Sequence, residues 1–284
     1  MTDFIKKHLV DGKKRIHLAA IEPRESDPFS DKDDAKAFTA EAIDRIRQLQ
    51  YRLFVENKQS LLIVLQAPDA AGKDGVIRKV LGRMNPQGCH AFSFKAPTED
   101  ELARDFLARI HPCIPRAGQV SIFNRSHYED VLVVRVEKIA PAKVWQKRYD
   151  HINAFESLIA DRGTAIIKIL LHISPQEQLA RLGERLEDPE KHWKLNTGDY
   201  AARDKWIDYR KAYEDVLKKC SAEHAPWYVI PADNKWYRDA AVASIVMQTL
   251  EKMNPQLPDV AVDLDEIRRL YAAAVQSTQS TPSA

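Results

Sequence analysis

Apolar residues recur at steps of three and four positions in the segment that begins at Asp31. The stripe consists of Phe38, Ala42, Ile46, Leu49 and Leu53. This spacing predicts an amphipathic helix. Further along, apolar residues fill positions 61–65 without interruption. Such a run is typical of a parallel strand that is buried on both faces.

Strand-like and helical patterns then alternate along the chain. Strands are predicted at 91–94, 120–123, 165–173 and 227–230, and helices at 76–84, 98–110, 128–136, 141–160 and 237–253. Thr98 and Glu101 have the spacing of a capping box at one of these helix starts. The alternation predicts a doubly wound α/β fold with a parallel sheet. Ligands of such sheets bind beyond the carboxyl ends of the strands.

Three segments depart from this pattern. Residues 1–30 show no clear period and contain two prolines, so we expect an irregular N-terminal arm ahead of a domain at 31–253. Residues 176–224 carry many charges of both signs, interleaved with aromatic residues. That composition fits either a solvated helical hairpin or a mobile lid over the site. Residues 254–284 form a C-terminal segment, and its small, polar end from position 276 is expected to be disordered.

The composition argues against several classes of protein. The chain has 43 Lys and Arg residues and 41 Asp and Glu residues, a net charge of +2, which argues against a dedicated nucleic-acid-binding surface. The longest apolar runs are strand-sized, well below the ~20 residues of a membrane helix. The start of the chain lacks the apolar core of a signal peptide. Three widely spaced cysteines argue against a disulfide framework. We therefore expect a cytoplasmic protein with no membrane or nucleic-acid partner.

The strongest chemical signal follows the apolar run at 61–65. Gly72 and Lys73 stand where a phosphate-binding loop, G-x-x-x-x-G-K-[ST] between a strand and a helix, has its last glycine and its lysine. Backbone N–H groups of such a loop surround phosphate oxygens, and the lysine bridges the terminal phosphates. Ala67 replaces the first glycine, and Asp74 replaces the Ser or Thr that usually supplies a hydroxyl to magnesium.

Two carboxylates belong to this loop region. Asp69 and Asp74 would repel bound phosphates unless a divalent cation lay between them, and hard carboxylate oxygens suit Mg²⁺. The loop therefore predicts a metal-dependent phosphate site. The alternative is an accidental turn, rich in Ala and Gly, with one exposed lysine. The candidate phosphate-binding residues of the loop are Ala70, Ala71, Gly72, Lys73 and Asp74.

A second group of polar residues follows the predicted strand at 120–123. Asn124 stands where phosphate-loop proteins have an acidic metal ligand, and its amide oxygen can bind metal without bringing charge. The guanidinium of Arg125 can pair bidentately with phosphate. Glu129 and Asp130 follow five and six positions after Asn124. As structural alternatives, Asn124 can cap a helix and Glu129 can be a solvated charge.

Three motifs together resemble the polyphosphate kinase 2 family. They are DAAGKD at 69–74, FNRSHYED at 123–130 and RLEDPEKHWK at 185–194. The resemblance covers roughly residues 31–253. An aspartate directly after the loop lysine is usual in this family and unusual among phosphate-loop kinases in general.

The resemblance implies a P-loop kinase of thymidylate-kinase-like α/β fold with a helical lid, assembled as a homodimer or homotetramer. It also implies reversible phosphoryl transfer between inorganic polyphosphate and adenine or guanine nucleotides, with Mg²⁺ or Mn²⁺. Asp69 resembles a metal-binding carboxylate, Lys73 a phosphate binder, and Arg125 the arginine that meets the transferred group. In the lid, Arg185 and Lys194 resemble residues that bind phosphate on closure.

The resemblance also bears on the acceptor. Many family members have aspartate at the position of Asn124 and lack an acid at that of Glu129. The pair found here resembles the subgroup, often called class III, that phosphorylates both AMP and ADP. The catalytic candidates are Asp69, Lys73, Arg125 and Glu129, and the metal candidates are Asp69, Asp74 and Asn124.

Two other functions are compatible with the same motifs. One is an ATP-dependent nucleoside monophosphate kinase on the same fold, which an assay with ATP as donor would separate. The other is a non-catalytic module that binds polyphosphate or nucleotides. The acids around the loop argue against the module, because binding of a polyanion alone would favour basic residues there.

Overall fold

The computed structural model describes residues 2–279. Within this range, five parallel strands form a sheet of order β2-β3-β1-β4-β5. The strands are β1 (Ser60–Gln66), β2 (Cys89–Ser93), β3 (Val120–Asn124), β4 (Thr164–His172) and β5 (Trp227–Pro231). This order confirms the predicted doubly wound α/β fold. The central strand β1 is buried along its whole length, as its continuous apolar run predicts.

Helices cover both faces of the sheet. They are α1 (Thr2–Lys6), α2 (Lys32–Glu56), α3 (Lys73–Val76), α4 (Glu99–Leu102), α5 (Val133–Val136), α6 (Ala142–Ala160), α7 (Pro175–Glu187), α8 (Thr197–Asp204), α9 (Trp206–Lys219), α10 (Lys235–Met253) and α11 (Leu264–Gln279). Buried residues of α2 and α10 form a core on one face, and those of α6 and α9 form a second core on the other. The two cores leave the carboxyl ends of the strands free for a site.

The first long helix shows how the sequence sets these boundaries. At its start the carboxylate of Asp31 accepts hydrogen bonds from the N–H groups of Asp33 and Asp34, and at its end Asn57 adopts a left-handed conformation with φ 53°. Such caps satisfy the backbone groups that a helix end leaves unpaired. The predicted apolar stripe faces the sheet, with Ala42, Ile46, Leu49 and Leu53 buried.

Two predicted helices are shorter than their patterns suggest. The capping box of Thr98 and Glu101 forms, but the helix ends at Leu102, so the prediction of a helix over 98–110 is wrong beyond that point. The carboxylate of Asp105 accepts from the N–H of Leu107 at 2.9 Å, a local bond that competes with helix formation.

The predicted helix over 128–136 is also divided. A 3₁₀ turn, His127–Asp130, comes first and α5 follows. The hydroxyl of Ser126 caps the turn by accepting from the N–H of Tyr128. The turn places the side chains of His127 and Tyr128 in the core, while Glu129 and Asp130 remain partly exposed.

The N-terminal arm is mostly irregular, as expected, but it is attached to the sheet. Leu9 forms an antiparallel bridge with Tyr228 of β5. The N–H of Val10 donates to the carbonyl of Trp227, and that of Val229 to the carbonyl of His8, both at 2.9 Å. The arm therefore covers the edge of β5 and brings residues 18–21 to the carboxyl end of the sheet.

The segment at 176–224 is almost entirely helical. It contains most of α7, a 3₁₀ stretch at Pro189–Lys194, then α8 and α9. At the end of the chain, α11 includes residues 276–279, for which the composition predicts disorder; positions 280–284, the rest of that tail, lie outside the described residues. None of the helices among residues 2–279 is both long and apolar enough to cross a membrane.

Candidate active site

The loop between β1 and α3 bends through two left-handed residues. Ala70 has φ 63° and Gly72 has φ 107°. A Cβ atom built on Gly72 would lie 1.9 Å from Nη1 of Arg238. Glycine is therefore required at this position both for the backbone conformation and for the close approach of the guanidinium.

Arg181 of α7 anchors the loop from the side of the lid segment. Its Nη1 donates to the carbonyls of Ala70 and Ala71 at 3.2 and 3.0 Å. Its Nη2 donates to the carbonyls of Ala232 and Asp233 at 2.7 and 2.9 Å. The side chain is 5% exposed. The buried guanidinium of Arg181 therefore ties the loop to the segment after β5. It binds only carbonyl groups of the loop and none of its N–H groups.

Arg238 of α10 is a second anchor of the same loop. Its Nη1 donates to the carbonyl of Ala71 at 3.2 Å. Its Nε and Nη2 donate to one carboxylate oxygen of Asp239 at 2.9 and 2.6 Å. The sequence does not reveal either arginine, because their partners on the loop are backbone carbonyls far away along the chain.

The loop lysine lies against its own loop. Nζ of Lys73 donates to the carbonyl of Ala67 at 2.9 Å, and the side chain is 8% exposed. Burial lowers the pKa of Lys73, and the carboxylate of Asp69 opposes that change. The lysine is thus a positive charge held inside the loop, with little of its surface in water.

Asp69 and Arg125 form an ion pair between the loop and the end of β3. Nη2 of Arg125 lies 2.5 Å from Oδ1 of Asp69. Burial would raise the pKa of Asp69, but the charges of Lys73 and Arg125 outweigh burial and lower it. Asp69 is therefore a carboxylate at neutral pH. Arg125 has φ 62°, a left-handed conformation that is costly for a residue with a side chain.

Asp74 joins three elements through its carboxylate. Nδ2 of Asn124 donates to Oδ1 at 2.9 Å, and Nζ of Lys194 donates to Oδ2 at 3.1 Å. Burial would raise the pKa of Asp74, but these two contacts outweigh burial and lower it. The carboxylate therefore connects the start of α3, the end of β3 and the 3₁₀ stretch Pro189–Lys194.

Glu129 lies at the same edge of the sheet, partly buried in the turn after β3. Burial raises the pKa of Glu129, and the positive charges of Arg125 and Lys73 oppose the rise. Arg185 points elsewhere: its Nη1 pairs with Oδ2 of Asp199 at 3.0 Å, within the lid segment. The charge of Arg185 nevertheless contributes to lowering the pKa of Asp69.

The predicted site residues thus fall into two groups. One surrounds the carboxyl ends of β1 and β3 and consists of Asp69, Ala70, Ala71, Gly72, Lys73, Asp74, Asn124, Arg125, Glu129 and Lys194. The other is Arg185 alone, which lies in the lid segment and contacts Asp199 and the carbonyl of Lys194.

A cleft of about 780 Å³, including its open mouth, begins at this edge. Asp69, Arg125 and Glu129 line its charged end. The aromatic side chains of Trp206, Tyr209 and Tyr213 on α9, together with Leu18 of the N-terminal arm and His172 of β4, line the remainder. The cleft suits a ligand that has an anionic end and a flat apolar part.

The oxygen donors around the loop fit a metal that binds together with substrate. Among residues 2–279, no group of three or more His, Cys, Asp or Glu side chains is placed to hold a metal ion. Asp69, Asp74 and Asn124 nevertheless offer two carboxylates and an amide at neighbouring strand ends. Mg²⁺ is usually held by one or two carboxylates plus substrate phosphates, without an all-protein cage. This donor set meets that requirement.

Comparison with known proteins identifies the family. A sequence model of the family described as Polyphosphate kinase 2 (PPK2) matches residues 29–258. The chain belongs to the polyphosphate kinase 2 family. This result confirms the resemblance drawn from the three motifs, and with it the expectation of a P-loop kinase fold.

Relatives in the family match nearly the whole chain. The AMP/ADP-polyphosphate phosphotransferase of Meiothermus ruber is 48% identical over 255 residues, which are 89% of this chain and 96% of that protein. The ADP-polyphosphate phosphotransferase of Rhodopseudomonas palustris is 40% identical over 250 residues, 84% of this chain and 86% of the relative. The crystal structure of polyphosphate kinase 2 from Arthrobacter aurescens superimposes with a TM-score of 0.88 at 42% identity, covering 91% of this chain and 93% of that one.

Proposed function

We propose that this protein transfers phosphoryl groups reversibly between inorganic polyphosphate and both AMP and ADP. The observation that carries the proposal is the meeting of Asp69, Lys73 and Arg125 at the ends of β1 and β3, beside a cleft with an aromatic wall. The name of the 48% identical relative from Meiothermus ruber, an AMP/ADP-polyphosphate phosphotransferase, supports the choice of substrates.

The proposed roles follow from the chemistry of phosphoryl transfer. Its transition state spreads negative charge over the equatorial oxygens of the transferred group, so catalysis depends on positioning and on charge stabilisation. Lys73 and Arg125 supply fixed positive charge at the loop. Asp69 orients Arg125 through their 2.5 Å ion pair. The carbonyl bonds from Arg181 and Arg238 hold the loop so that its N–H groups are preorganised for phosphate.

We propose Mg²⁺ or Mn²⁺ as the metal, held by Asp69, Asp74 and Asn124 together with phosphate oxygens. When bound, the cation neutralises phosphate charge near the two carboxylates. Both carboxylates already contact positive or polar protein groups. A cation held there would replace Lys194 as a partner of Asp74, and Lys194 would then be available to phosphate.

Within the segment at 176–224, the mostly exposed part from Arg185 to Lys205 is proposed to act as a lid that excludes water from the reaction, because Arg181 and the buried face of α9 belong to the core. Lys194 already reaches from this segment to the loop through Asp74. Arg185 lies nearby, and a short movement would exchange its contact with Asp199 for one with phosphate. Closure of such segments commonly completes a kinase site.

The acceptor nucleotide is proposed to lie in the cleft, with its base against Trp206, Tyr209 and Tyr213. Aromatic faces stack on nucleobases with little sequence preference, which is compatible with adenine and guanine alike. Asn124 brings no charge to the phosphate end, and Glu129 lies further along the same edge. The site can therefore accept attacking oxygens from acceptors that carry either one or two phosphates.

The decisive experiment is an assay that resolves all adenine nucleotides. AMP and ADP are supplied separately with polyphosphate and Mg²⁺, in the presence of an adenylate kinase inhibitor, and we expect ADP from the first and ATP from the second. ATP in place of polyphosphate is the control for a nucleotide-dependent kinase. Turnover of only one acceptor would contradict the dual specificity, and turnover only with ATP would contradict the choice of donor.

The protein is further proposed to assemble as a homodimer or homotetramer. In α11, Leu264, Ile267, Leu270 and Tyr271 expose roughly half or more of their surface on one side of the helix. Exposed apolar faces of this kind are typical of association surfaces. Light scattering on the purified chain should give a mass of two or four subunits, and a mass of one would contradict the proposal.

A further inference from the structure

A buried positive charge lies in the middle of β4. Lys168 is 0% exposed, and its buried neighbours along the strand, Ile166, Ile167, Ile169, Leu170 and Leu171, are all apolar. Its Nζ contacts Oε2 of Glu156 on α6 at 2.5 Å, the hydroxyl of Tyr128 at 2.9 Å and the carbonyl of Cys220 at 2.6 Å. Rings of Tyr128 and Trp227 lie 5.4 and 5.5 Å from the ammonium.

This cluster holds the turn that follows β3. The hydroxyl of Tyr128 donates to Oε1 of Glu156 at 2.7 Å, and Nε2 of His127 lies 3.2 Å from the same oxygen. One residue earlier, the hydroxyl of Ser126 accepts from Nε2 of Gln66 at 3.2 Å. Three consecutive side chains of the turn are therefore fixed in the core of the molecule.

The residues on either side of these three face the opposite way. Arg125 pairs with Asp69, and Arg125 and Glu129 both line the cleft. Arg125 is held in a left-handed conformation, which is costly for a residue with a side chain and persists only where the surroundings over-determine it. The core contacts of 126–128 are part of those surroundings, together with the ion pair to Asp69 and the hydrogen bond from the N–H of Arg125 to the carbonyl of Leu65 at 3.0 Å.

Stability alone does not explain the cluster. A buried ion pair loses so much hydration that its replacement by apolar groups of the same shape is often neutral or stabilising. The presence of a lysine and a glutamate in the core therefore needs another explanation. Both side chains contact Tyr128, which belongs to the turn between Arg125 and Glu129.

We propose that Lys168, Glu156 and Tyr128 are positioning residues that hold Arg125 and Glu129 in reacting geometry. The inference rests on the proposed function, because it assigns the phosphoryl-transfer groups to that turn. It assigns no contact with substrate to the three core residues themselves.

Tyr128→Phe is the mildest test, because it removes one oxygen and leaves the ring and the ion pair in place. We expect kcat to fall about tenfold while KM for nucleotide changes less than about twofold, as for a loss confined to the transition state. Hydrogen exchange of the amides at 125–129 should accelerate. Ser60→Ala, which breaks the buried 2.9 Å contact with Thr164 at the other end of the sheet, is the matched control and should change neither measurement.

A double-mutant cycle separates positioning from general weakening of the fold. If Tyr128 acts through Arg125, Tyr128→Phe has little further effect on kcat in an Arg125→Lys background. A merely structural role would lower kcat by the same factor in both backgrounds, since independent effects add as free energies. Equal factors would overturn the proposal, as would unchanged kcat and unchanged exchange at 125–129 in Tyr128→Phe.

A second variant removes the charges together. Lys168→Met alone would leave Glu156 buried without a partner, so the test is Lys168→Met with Glu156→Gln. We expect the melting temperature to change by less than about 3 °C and the amides at 125–129 to exchange faster, with kcat reduced by about tenfold or more. A large fall in melting temperature with unchanged kcat would assign the cluster to stability. Inactivity of the wild type with polyphosphate would refute the proposed function, while the exchange data would still decide the role of the cluster.

Discussion

Each charged side chain at the phosphate loop lies next to a charge of the opposite sign. Asp69 contacts Arg125, and Asp74 contacts Lys194. Lys73 lies close enough to Asp69 for each to shift the pKa of the other. These charges are therefore paired with one another within the protein. The pairing offsets part of the desolvation cost of placing several charges in a partly buried loop.

Lys73→Met tests the central cation of the loop. The substitution keeps an apolar stem of similar length and removes the charge that we propose acts on the transferred phosphates. Loss of such a contact costs about 10²–10³ in kcat, so we expect turnover to fall at least about 100-fold with the fold intact by circular dichroism. Lys58→Met, at an exposed lysine at the other end of the sheet, is the control and should behave as wild type. Retention of more than about a tenth of the rate would refute this role.

The raised pKa of Glu129 predicts a pH dependence of stability. Burial raises the pKa above the ordinary 4.5, so the folded state favours the protonated carboxyl. The stabilising contribution is fully present below about pH 4.5 and is lost as the pH rises through the raised value. Relative to Glu129→Gln, the wild type should therefore lose unfolding free energy as the pH rises above 4.5. Urea titrations across pH 4–8 measure the difference in unfolding free energy between wild type and Glu129→Gln. If the wild type instead gained stability relative to the variant as the pH rose, Arg125 and Lys73 would outweigh burial.

At the scale of elements, local sequence signals determine where helices begin. Contacts with residues distant in the sequence determine where those helices end. The caps at Asp31 and Thr98 form as their spacing predicts. The helix after Thr98 stops at Leu102, although its pattern continues, because the following residues turn and pack against the core. The loop itself could be recognised from Gly72 and Lys73, but its anchors could not.

Gly72→Ala should disrupt the loop as an element. The new methyl group would meet Arg238 at 1.9 Å and would force a side chain into the left-handed region. We expect a loss of at least about 1–3 kcal/mol from the backbone conformation alone, together with loss of turnover. Gly183→Ala in α7 is the control, because no atom beyond its chain neighbours and the nearby backbone of its own helix lies within 4 Å of the position that its new methyl group would take. It should stabilise the helix by about 0.8–1 kcal/mol, and equal effects of the two substitutions would contradict this account.

The lid assignment predicts variants that are slow but stable. Arg185→Ala and Lys194→Ala should each lower kcat by about tenfold or more, because their proposed contacts form on closure over phosphate. Their melting temperatures should fall by less than about 3 °C. The fall should be larger for Arg185→Ala, because this variant loses a largely buried ion pair with Asp199. Lys191→Ala, an exposed lysine of the same 3₁₀ stretch that pairs locally with Asp188, is the control. A sharp fall in melting temperature for either test variant would make that residue structural.

At the scale of the whole molecule, the sequence predicts the features that arise from a repeated pattern or from a local motif. Alternating apolar runs predict the parallel sheet, and the glycine and lysine after β1 predict the phosphate loop. Arg181 and Arg238 are different, because each lies in an ordinary helical pattern. Lys168 stands out as a charge within an apolar strand, but nothing in the sequence names its partners. The roles of all three arise from backbone carbonyls and carboxylates brought near by the fold. A single sequence contains no signal for such contacts.

The balance of charge over the whole molecule predicts that nucleotide binding requires metal. A net charge of +2 gives little general attraction for polyanions, and two carboxylates stand at the phosphate loop. With ADP and Mg²⁺ in excess, we expect the melting temperature to rise by about 5 °C. A rise of this size corresponds to an ADP concentration of about 100 times the dissociation constant. With ADP and a chelator, the rise should nearly vanish.

A variant of one carboxylate tests the same balance. Asp74→Asn removes one proposed metal ligand, so the ADP-induced rise should need a higher Mg²⁺ concentration than in wild type. Asp44→Asn, at an exposed carboxylate on α2, controls for the change in net charge and should leave the Mg²⁺ dependence unaltered. An equal rise in wild type with and without chelator would mean that the cations of the loop suffice for phosphate, and the metal assignment to Asp69, Asp74 and Asn124 would then be wrong.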